Sequence, residues 1–144
     1  MRHFTTTLLL AATFAAAPLC SAESDGQVDA RRVALDLAGA FANDGFKVRD
    51  GHWTGSLKQG ERAVVAVNLY AGNEYWFSVG TTGKAPKFSL NVYDENGQPI
   101  SAEEFAEGEK AAAGFSPKMS GQYFVSIAAN EGDTGTYCLV YSYK

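Results

Sequence analysis

Large apolar residues alternate with small or polar ones over most of the chain after position 60. Residues 121–127 read Gly-Gln-Tyr-Phe-Val-Ser-Ile and residues 135–141 read Gly-Thr-Tyr-Cys-Leu-Val-Tyr, so both segments begin with Gly-x-Tyr and continue with a period of two. Successive side chains of a β-strand point to opposite faces, which makes this period typical of strands with one buried face. The pattern therefore predicts an all-β protein.

Turn-forming sequences divide the region after residue 50 into a series of strands. The predicted strands are 52–57, 62–70, 75–79, 87–93, 111–116, 121–128 and 134–142. Residues 80–83 are predicted to close a hairpin, and the acidic segment 101–110 is predicted to be a surface loop with one helical turn. Since no helix separates the strands, we expect antiparallel pairing.

The alternation also predicts which side chains form the core. These are Tyr75, Phe77, Val79, Phe88, Leu90, Val92, Tyr123, Val125, Ile127, Tyr137, Leu139 and Tyr141. Because they recur at every second position of several strands, one sheet face in each strand is predicted to be buried against a second layer.

One amphipathic helix precedes the strands. Ser24 and Gln27 have the spacing of a capping box, and Gly45 stands where a left-handed helix terminator belongs, so the predicted helix covers 28–44. Its apolar stripe consists of Val33, Leu37 and Phe41, with Ala30 and Ala34 beside them. Because this stripe needs an apolar surface to cover, we expect the helix to dock on a face of the sheet.

These elements predict an antiparallel, jelly-roll-type β-sandwich of about seven or eight strands with one N-terminal α-helix. Residues 1–22 are assigned to a signal peptide, 23–50 to the helix and a linker, and 51–144 to the β-sandwich domain. The chain after residue 22 is long enough for one hydrophobic core and too short for two domains.

The N-terminal residues have the features of an export signal. Arg2 supplies a positive charge, residues 4–17 are apolar apart from threonines, and the segment ends in Cys20-Ser21-Ala22. The apolar stretch is shorter than the roughly 20 residues that span a bilayer. We therefore predict cleavage after Ala22, a periplasmic or secreted location and no membrane span in the mature protein. A lipidated Cys20 is the alternative, although the bulky Leu19 departs from the usual lipoprotein signal.

Composition limits the classes of partner and of cross-link. The chain carries 12 Lys and Arg against 16 Asp and Glu, a formal charge of −4. Its basic residues are scattered, apart from Arg31-Arg32, which argues against nucleic acid as a partner. Cys138 is the one cysteine left after cleavage, so an internal disulfide is excluded and a buried, hydrophobic role is predicted. An envelope structural or assembly protein, with Cys138 paired between chains, is the alternative.

Catalytic residues are sparse. His52 is the one histidine left after cleavage, and no Gly-x-Ser-x-Gly motif occurs. These facts exclude a multi-histidine zinc site and leave a single imidazole for a serine hydrolase. The adjacent acids Glu103 and Glu104 are interpreted as a solvated face and not as a glycosidase pair. We therefore predict a non-catalytic protein, with a small secreted hydrolase as the alternative.

Two loops carry enough side-chain oxygens to be calcium candidates. Asp94 and Asn96 lie in one loop, and Asp133 lies in the other. Neither loop has EF-hand spacing, and Asp-x-Asn-Gly at 94–97 is typical of a hairpin turn. We predict no cofactor, with calcium at one of these loops as the alternative.

Large aromatic residues give the clearest indication of function. If the neighbouring tyrosines face the core, alternation places Trp76 and Phe124 on outer faces. Either the N-terminal helix covers these side chains, or they form an exposed platform, joined by Trp53 and Tyr93, that stacks on sugar rings or anchors a protein. The predicted function is therefore recognition of a polysaccharide or a protein surface.

Several turns and core positions occur in an order that characterises one family. They are Gly60-Glu61, Ala71-Gly72-Asn73-x-Tyr75-x-Phe77, Leu90-x-Val92-Tyr93-Asp94-x-Asn96-Gly97, Gly121-x-Tyr123-x-Val125 and Gly135-x-Tyr137-x-Leu139. This succession resembles the bacterial pre-peptidase C-terminal domain, over the chain from Trp53 onward. The resemblance implies a jelly-roll sandwich of the kind attached to secreted enzymes, which aids export or binds substrate polymers and in some members binds calcium. In this sequence the domain follows a helix and not a catalytic domain.

Overall fold

The computed structural model describes residues 21–82 and 87–144. The predicted signal peptide, apart from Ser21 and Ala22, lies outside the described residues, and so does Cys20. In the described ranges one helix, α1 (Asp25–Ala42), is followed by ten strands, and no helix there has the length and apolar character of a membrane span. The strands are β1 (Lys47–Val48), β2 (Trp53–Leu57), β3 (Arg62–Leu69), β4 (Tyr75–Thr82), β5 (Lys87–Tyr93), β6 (Pro99–Ile100), β7 (Glu103–Glu107), β8 (Lys110–Phe115), β9 (Gly121–Glu131) and β10 (Gly135–Tyr143).

The strands form two antiparallel sheets that pack face to face. In the six-stranded sheet the order is β1-β10-β4-β8-β7, with β2 also paired to β10, and in the four-stranded sheet it is β3-β9-β5-β6. Without the two-residue strands β1 and β6, the order is β2-β10-β4-β8-β7 in one sheet and β3-β9-β5 in the other. This is the strand order of a jelly roll, except that β7 pairs with β8 in the larger sheet and not with β5 in the smaller one. The predicted all-β sandwich with one N-terminal helix is confirmed.

The hydrophobic core lies between the two sheets and is built from alternate strand residues. Every side chain that the alternation predicted to face the core does so, and Phe77, Val125 and Leu139 are completely buried. Full burial of a side chain of this size stabilises the fold by about 1.5–3 kcal/mol. Packed side chains of both sheets therefore hold the sandwich together.

The acidic segment predicted as a loop forms an edge strand instead. β7 pairs with β8 in an antiparallel ladder, in which Glu104 lies opposite Ala113 and Phe105 lies opposite Ala112. All the residues of β7 are exposed. Charged side chains on an edge strand discourage pairing with another chain, so acidity here marks the border of a sheet and not the absence of a strand.

The predicted start of the hairpin turn at residue 80 is wrong, because β4 continues to Thr82. Thr82 lies opposite Thr136 in the ladder between β4 and β10. Helix α1 crosses directly above Gly80 and leaves no room for a side chain there. Gly80 therefore allows the helix to pack closely on the sheet and does not form a turn.

Helix α1 begins with the predicted capping box and starts three residues earlier than predicted. Ser24 Oγ accepts a hydrogen bond from the amide of Gln27, and Gln27 Oε1 accepts one from the amide of Ser24. After the helix ends, Gly45 has a φ of 90°, as predicted for a left-handed terminator. On the outer face of the six-stranded sheet, Ala30, Ala34 and Ala38 pack against Cys138 and Val140. The predicted docking of the helix on a sheet face is confirmed.

Candidate functional site

Three connecting loops meet at one end of the sandwich. The strand register brings several strand ends to one level, with Leu69 opposite Gly121 and Tyr75 opposite Tyr143. The loops beside these strand ends are 70–74, 94–98 and 116–120. We call this region the loop end and include in it the adjacent residues 48, 49 and 143.

The loop end exposes several large apolar side chains. Met119 is 73% exposed, Tyr70 62%, Val48 41% and Tyr143 39%. The other exposed large apolar side chains of the described residues are Val28 and Leu35 on α1, Val64 on β3 and Phe105 on β7. Because exposed apolar surface is unfavourable in water, a cluster of such side chains is a candidate contact surface for a partner.

A cleft of about 600 Å³ opens between the 94–98 and 116–120 loops, and we call it the loop cleft. Its wall includes Ile100, Phe115, Met119 and Tyr123, and its rim includes Asp94, Lys118 and Gln122. The Phe115 and Tyr123 rings pack together, with centroids 5.3 Å apart. An apolar cleft of this volume is able to receive a protruding side chain or a small ligand.

Hydrogen bonds hold the 116–120 loop in place. Tyr123 donates to the carbonyl oxygen of Met119 over 2.6 Å. Ser120 Oγ accepts from the amide of Ala71 over 2.9 Å, which ties this loop to the 70–74 turn. The exposed Met119 side chain therefore stands on a backbone that is fixed from both sides.

A second cleft, of about 380 Å³, lies beside the 70–74 turn, and we call it the tyrosine cleft. It is lined by Arg49, Asn68, Tyr70, Asn73, Tyr75, Tyr141 and Tyr143. Tyr75 and Tyr141 are buried over most of their surface, whereas Tyr70 and Tyr143 are exposed. The cleft thus combines aromatic walls with a few polar groups, the usual composition of a recognition site.

Arg49 is the positive charge of the tyrosine cleft. Its guanidinium carbon lies 5.4 Å from the centroid of the Tyr141 ring, and Nη1 donates to the Tyr141 hydroxyl. That hydrogen bond, together with the charge interaction with Tyr141, raises the pKa of Arg49. Among the residues that the structure describes, no carboxylate forms an ion pair with Arg49. A permanent cation is therefore available to a ligand.

The two tryptophans predicted to contribute to a binding platform are both engaged within the protein. Trp76 lies against helix α1, where its indole stacks on Phe41 with ring centroids 4.3 Å apart and 10° between the planes. Trp53 packs against the core and stacks on Tyr141 with centroids 6.0 Å apart. Trp76 and Trp53 therefore lie on opposite faces of the six-stranded sheet.

The other two predicted platform residues lie on the second sheet. Tyr93 and Phe124 are directly opposite each other on β5 and β9, on the outer face of the four-stranded sheet. Both are half-buried, and helix α1 packs on the other sheet. The helix thus covers Trp76 but leaves Phe124 on an open face, so the four aromatic residues do not form one platform.

A third depression, of about 680 Å³, separates the end of helix α1 from the edge strand β7. Its apolar lining includes Leu37, Phe41, Phe46, Trp76 and Phe105, and its acidic lining consists of Asp44, Glu74, Glu103 and Glu104. Glu103 and Glu104 are exposed, as expected for a solvated face. Lys144 also lines the depression and forms an ion pair with Glu74 over 3.0 Å.

The calcium candidates are separated in the structure. Asp94 Oδ1 accepts hydrogen bonds of 2.9 Å from the amides of Asn96 and Gln98, so this carboxylate stabilises its own turn. Gly97 has a φ of 76°, which fits the predicted turn. Asp133 lies in the connection between β9 and β10, and in residues 21–82 and 87–144 no three His, Cys, Asp or Glu side chains are grouped for a metal ion.

His52 and Cys138 have structural partners. His52 Nε2 lies 2.9 Å from Glu23 Oε1, and this pair joins the region before β2 to the residues before α1. Cys138 is completely buried beneath the helix, and burial raises the pKa of its thiol to about 11. The predicted burial of Cys138 is confirmed, and a disulfide to another chain would require the helix to move away.

Sequence reasoning missed the residues that define the loop end: Arg49, Tyr70, Met119 and Tyr143. A partial signal existed, since Tyr143 continues the inward alternation of Tyr137, Leu139 and Tyr141 on β10. The alternation does not reveal that Tyr143, unlike those three side chains, is exposed. Arg49 had no signal at all, because its contacts lie 92 positions away in the sequence.

Comparisons with known proteins yield only distant likenesses of fold. The sequence matches no protein-family model, and a search of curated proteins finds no match. Among solved structures, the chain is similar to Aeromonas hydrophila PliG, a periplasmic lysozyme inhibitor of g-type lysozyme, with a TM-score of 0.48 and 18% identity over 70% of this chain and 90% of that chain. Likeness at this level supports no conclusion about the function of this chain.

Proposed function

We propose that this protein is an exported, non-catalytic interaction domain that binds a protein partner through its loop end. The observation that carries the proposal is the exposed pair Tyr70 and Tyr143 beside the cationic Arg49, with the exposed Met119 on the loop tied to the 70–74 turn. Tyrosine, methionine and arginine are enriched in the centres of protein interfaces. The two clefts beside these residues offer cavities for protruding side chains of the partner.

The arrangement of the loop end supports recognition with little structural change. Tyr75 holds the 70–74 turn, because its hydroxyl accepts from the amide of Tyr70 over 2.9 Å and from Asn73 Nδ2 over 3.1 Å. Ser120 ties the same turn to the neighbouring loop. Pre-organised loops bind more tightly because less conformational entropy is lost on association.

The experiment compares two double variants of the processed chain, residues 23–144. Tyr70→Ala with Met119→Ala removes two exposed side chains of the loop end. Val64→Ala with Leu35→Ala removes exposed apolar side chains from other surfaces and serves as the matched control. Each immobilised protein is exposed to periplasmic and extracellular extracts and to purified proteins, including a g-type lysozyme as one defined probe, and the affinity of each captured protein is measured.

We expect the loop-end variant to bind the partner at least about tenfold more weakly than the unmodified chain, since interface tyrosines commonly contribute 1–2 kcal/mol or more. The control variant is expected to bind normally. Equal loss in both variants, or full binding by the loop-end variant, would contradict the proposal. Thermal unfolding of each variant establishes that the fold is intact.

A second candidate function is polysaccharide recognition by the outer face of the four-stranded sheet. The observation that favours it is the direct opposition of Tyr93 and Phe124 on that face, with Pro99 paired to Tyr93 on the edge strand. Flat aromatic rings stack on the apolar faces of sugars. Retention of the protein on insoluble glycans that is lost in Phe124→Ala and kept in Tyr70→Ala would favour this function over the first.

A further inference from the structure

We propose that the tyrosine cleft binds a carboxylate that the protein partner presents to Arg49. This inference rests on the proposed function, since it names the chemical group of the partner that enters one of the two clefts.

Two tyrosine hydroxyls in the cleft accept hydrogen bonds within the protein and donate none among the described residues. The Tyr75 oxygen accepts from the amide of Tyr70 and from Asn73 Nδ2, and the Tyr141 oxygen accepts from Arg49 Nη1. Among the described residues neither hydroxyl donates a hydrogen bond. A phenol has one O–H donor, so both protons remain available to a ligand in the cleft.

Arg49 adds further donors at a fixed position. Its amide donates to the Tyr141 carbonyl oxygen over 2.9 Å, and its guanidinium stands over the Tyr141 ring. A guanidinium has five N–H donors, and one of them is used by Tyr141. By contrast, Arg31 and Arg32 of helix α1 are paired with carboxylates of this chain.

These groups complement an acceptor that carries one negative charge. The lining of the cleft contains one cation and no carboxylate, in a chain whose formal charge is −4. An ionised carboxylate only accepts hydrogen bonds, and it fits the planar fork of an arginine. A sugar hydroxyl also carries an O–H proton, which the donor groups of the two tyrosines and Arg49 do not accept. A phosphate dianion would leave one charge without a partner cation.

Asn73 offers the cleft a hydrogen-bond acceptor that suits a peptide ligand. Its Nδ2 donates to Tyr75, which leaves its side-chain carbonyl oxygen to accept a hydrogen bond. A peptide N–H beside the carboxylate would supply that donor. Both a Glu or Asp side chain and a chain terminus place an N–H near a carboxylate, so the two sources share this chemistry and are separated by experiment.

The test is an NMR titration of the isotope-labelled processed chain. The probes are N-acetylglutamate α-amide, which has a side-chain carboxylate, and N-acetylalanine, which has a terminal one. Their uncharged counterparts, the N-acetyl amides of glutamine and alanine, are the controls, and inorganic phosphate is the third anion. The signals followed are the Nε–H of Arg49 and the rings of Tyr75 and Tyr141.

We expect saturable shifts with a dissociation constant of about 1–10 mM for one or both carboxylates, and binding at least about tenfold weaker for the amides. The better of the two carboxylates identifies its source on the partner. Arg49→Gln should abolish the shifts, and Arg49→Lys should weaken them because the fork is lost. Arg62→Gln, which changes an exposed arginine at the other end of β3, should leave them unchanged.

Three outcomes would overturn the assignment: no saturable shift with either carboxylate, equal binding of the amides, or tighter binding of phosphate. The partner assay keeps this failure separate from failure of the proposed function. If Arg49→Gln binds the partner normally while the Tyr70 and Met119 double variant does not, the carboxylate site is wrong and the interaction surface stands. Circular dichroism of Arg49→Gln confirms that its fold is native.

Discussion

Gly80 lies directly beneath the backbone of Ala34, in the centre of the contact between helix α1 and the six-stranded sheet. A Cβ atom on Gly80 would stand 2.3 Å from the Ala34 nitrogen and 2.4 Å from the Ala30 carbonyl oxygen. These are backbone atoms that cannot rotate away. The helix is able to lie this close only because β4 has no side chain at that point.

Gly80→Ala should therefore destabilise the protein. We expect a loss of about 1–3 kcal/mol, the usual cost of overpacking, or more if the helix separates from the sheet. Urea unfolding measures the change, and hydrogen exchange of α1 amides shows whether the helix remains docked. Gly39→Ala is the matched control, because Gly39 is an exposed helix position with nothing within 4 Å of the added atom. That change should stabilise by about 0.5–1 kcal/mol, and a Gly80→Ala variant as stable as the original would contradict the packing described.

The same interface contains two completely buried hydroxyls, Ser78 Oγ and Ser142 Oγ, that have no hydrogen-bond partner among the described residues. An unsatisfied buried hydroxyl costs about 1–3 kcal/mol. Ser142→Ala and Ser78→Ala should each leave stability unchanged or raise it by about 1 kcal/mol. Ser116→Ala, at an exposed position, is expected to change it by less than about 0.5 kcal/mol. A loss of more than 1 kcal/mol in the Ser142 variant, measured by denaturant unfolding, would mean that the hydroxyl is satisfied.

The Phe41–Trp76 stack should couple the end of helix α1 to the sheet. Its near-parallel rings, 4.3 Å apart, predict a coupling energy of about 0.5–1.5 kcal/mol in a double-mutant cycle of Phe41→Ala and Trp76→Ala. Phe41→Ala alone should also expose Trp76 and shift its fluorescence to longer wavelength. Trp53→Phe removes the other tryptophan and isolates that signal. Additive effects of the two substitutions on the free energy of unfolding would rule out the coupling.

Cys138 should make stability fall at alkaline pH. Burial raises the pKa of its thiol to about 11 from 9.0, so between these values the unfolded chain loses the proton and the folded chain keeps it. The contribution of this thiol to the free energy of unfolding is therefore fully present below pH 9 and is lost as the pH rises to 11. Over that range the free energy of unfolding falls by up to about 1.4 kcal/mol per pH unit. Cys138→Ala should show a shallower slope in urea unfolding over this range.

Accessibility of the same thiol gives an independent measurement. Since Cys138 is completely buried under α1, we expect a thiol reagent at pH 8 to react with it at the rate of unfolding or helix separation. Non-reducing electrophoresis should show monomer. Rapid labelling of the native protein, or a disulfide-linked dimer, would show that the helix leaves this part of the sheet open.

Local pattern was sufficient for the strands and the core. The positions of Phe88, Leu90 and Val92 follow from a period of two, because a strand that buries one face must place its apolar residues alternately. The helix start was equally readable, since the Ser24 and Gln27 side chains act on the backbone of their own turn. The acidic strand β7 could not be predicted from its sequence, because its pairing with β8 makes it a strand and its composition does not indicate one.

The residue sequence by itself thus determined most of the long strands, the core side chains of those strands and the capping of the helix, all of which depend on neighbours a few positions away. Only the tertiary structure decided which outward residues are covered and which are open. The helix happens to pack over Trp76 and not over Phe124, and Arg49 meets Tyr141 across 92 positions of chain. Such contacts depend on strand order and register between distant segments, which no local periodicity encodes.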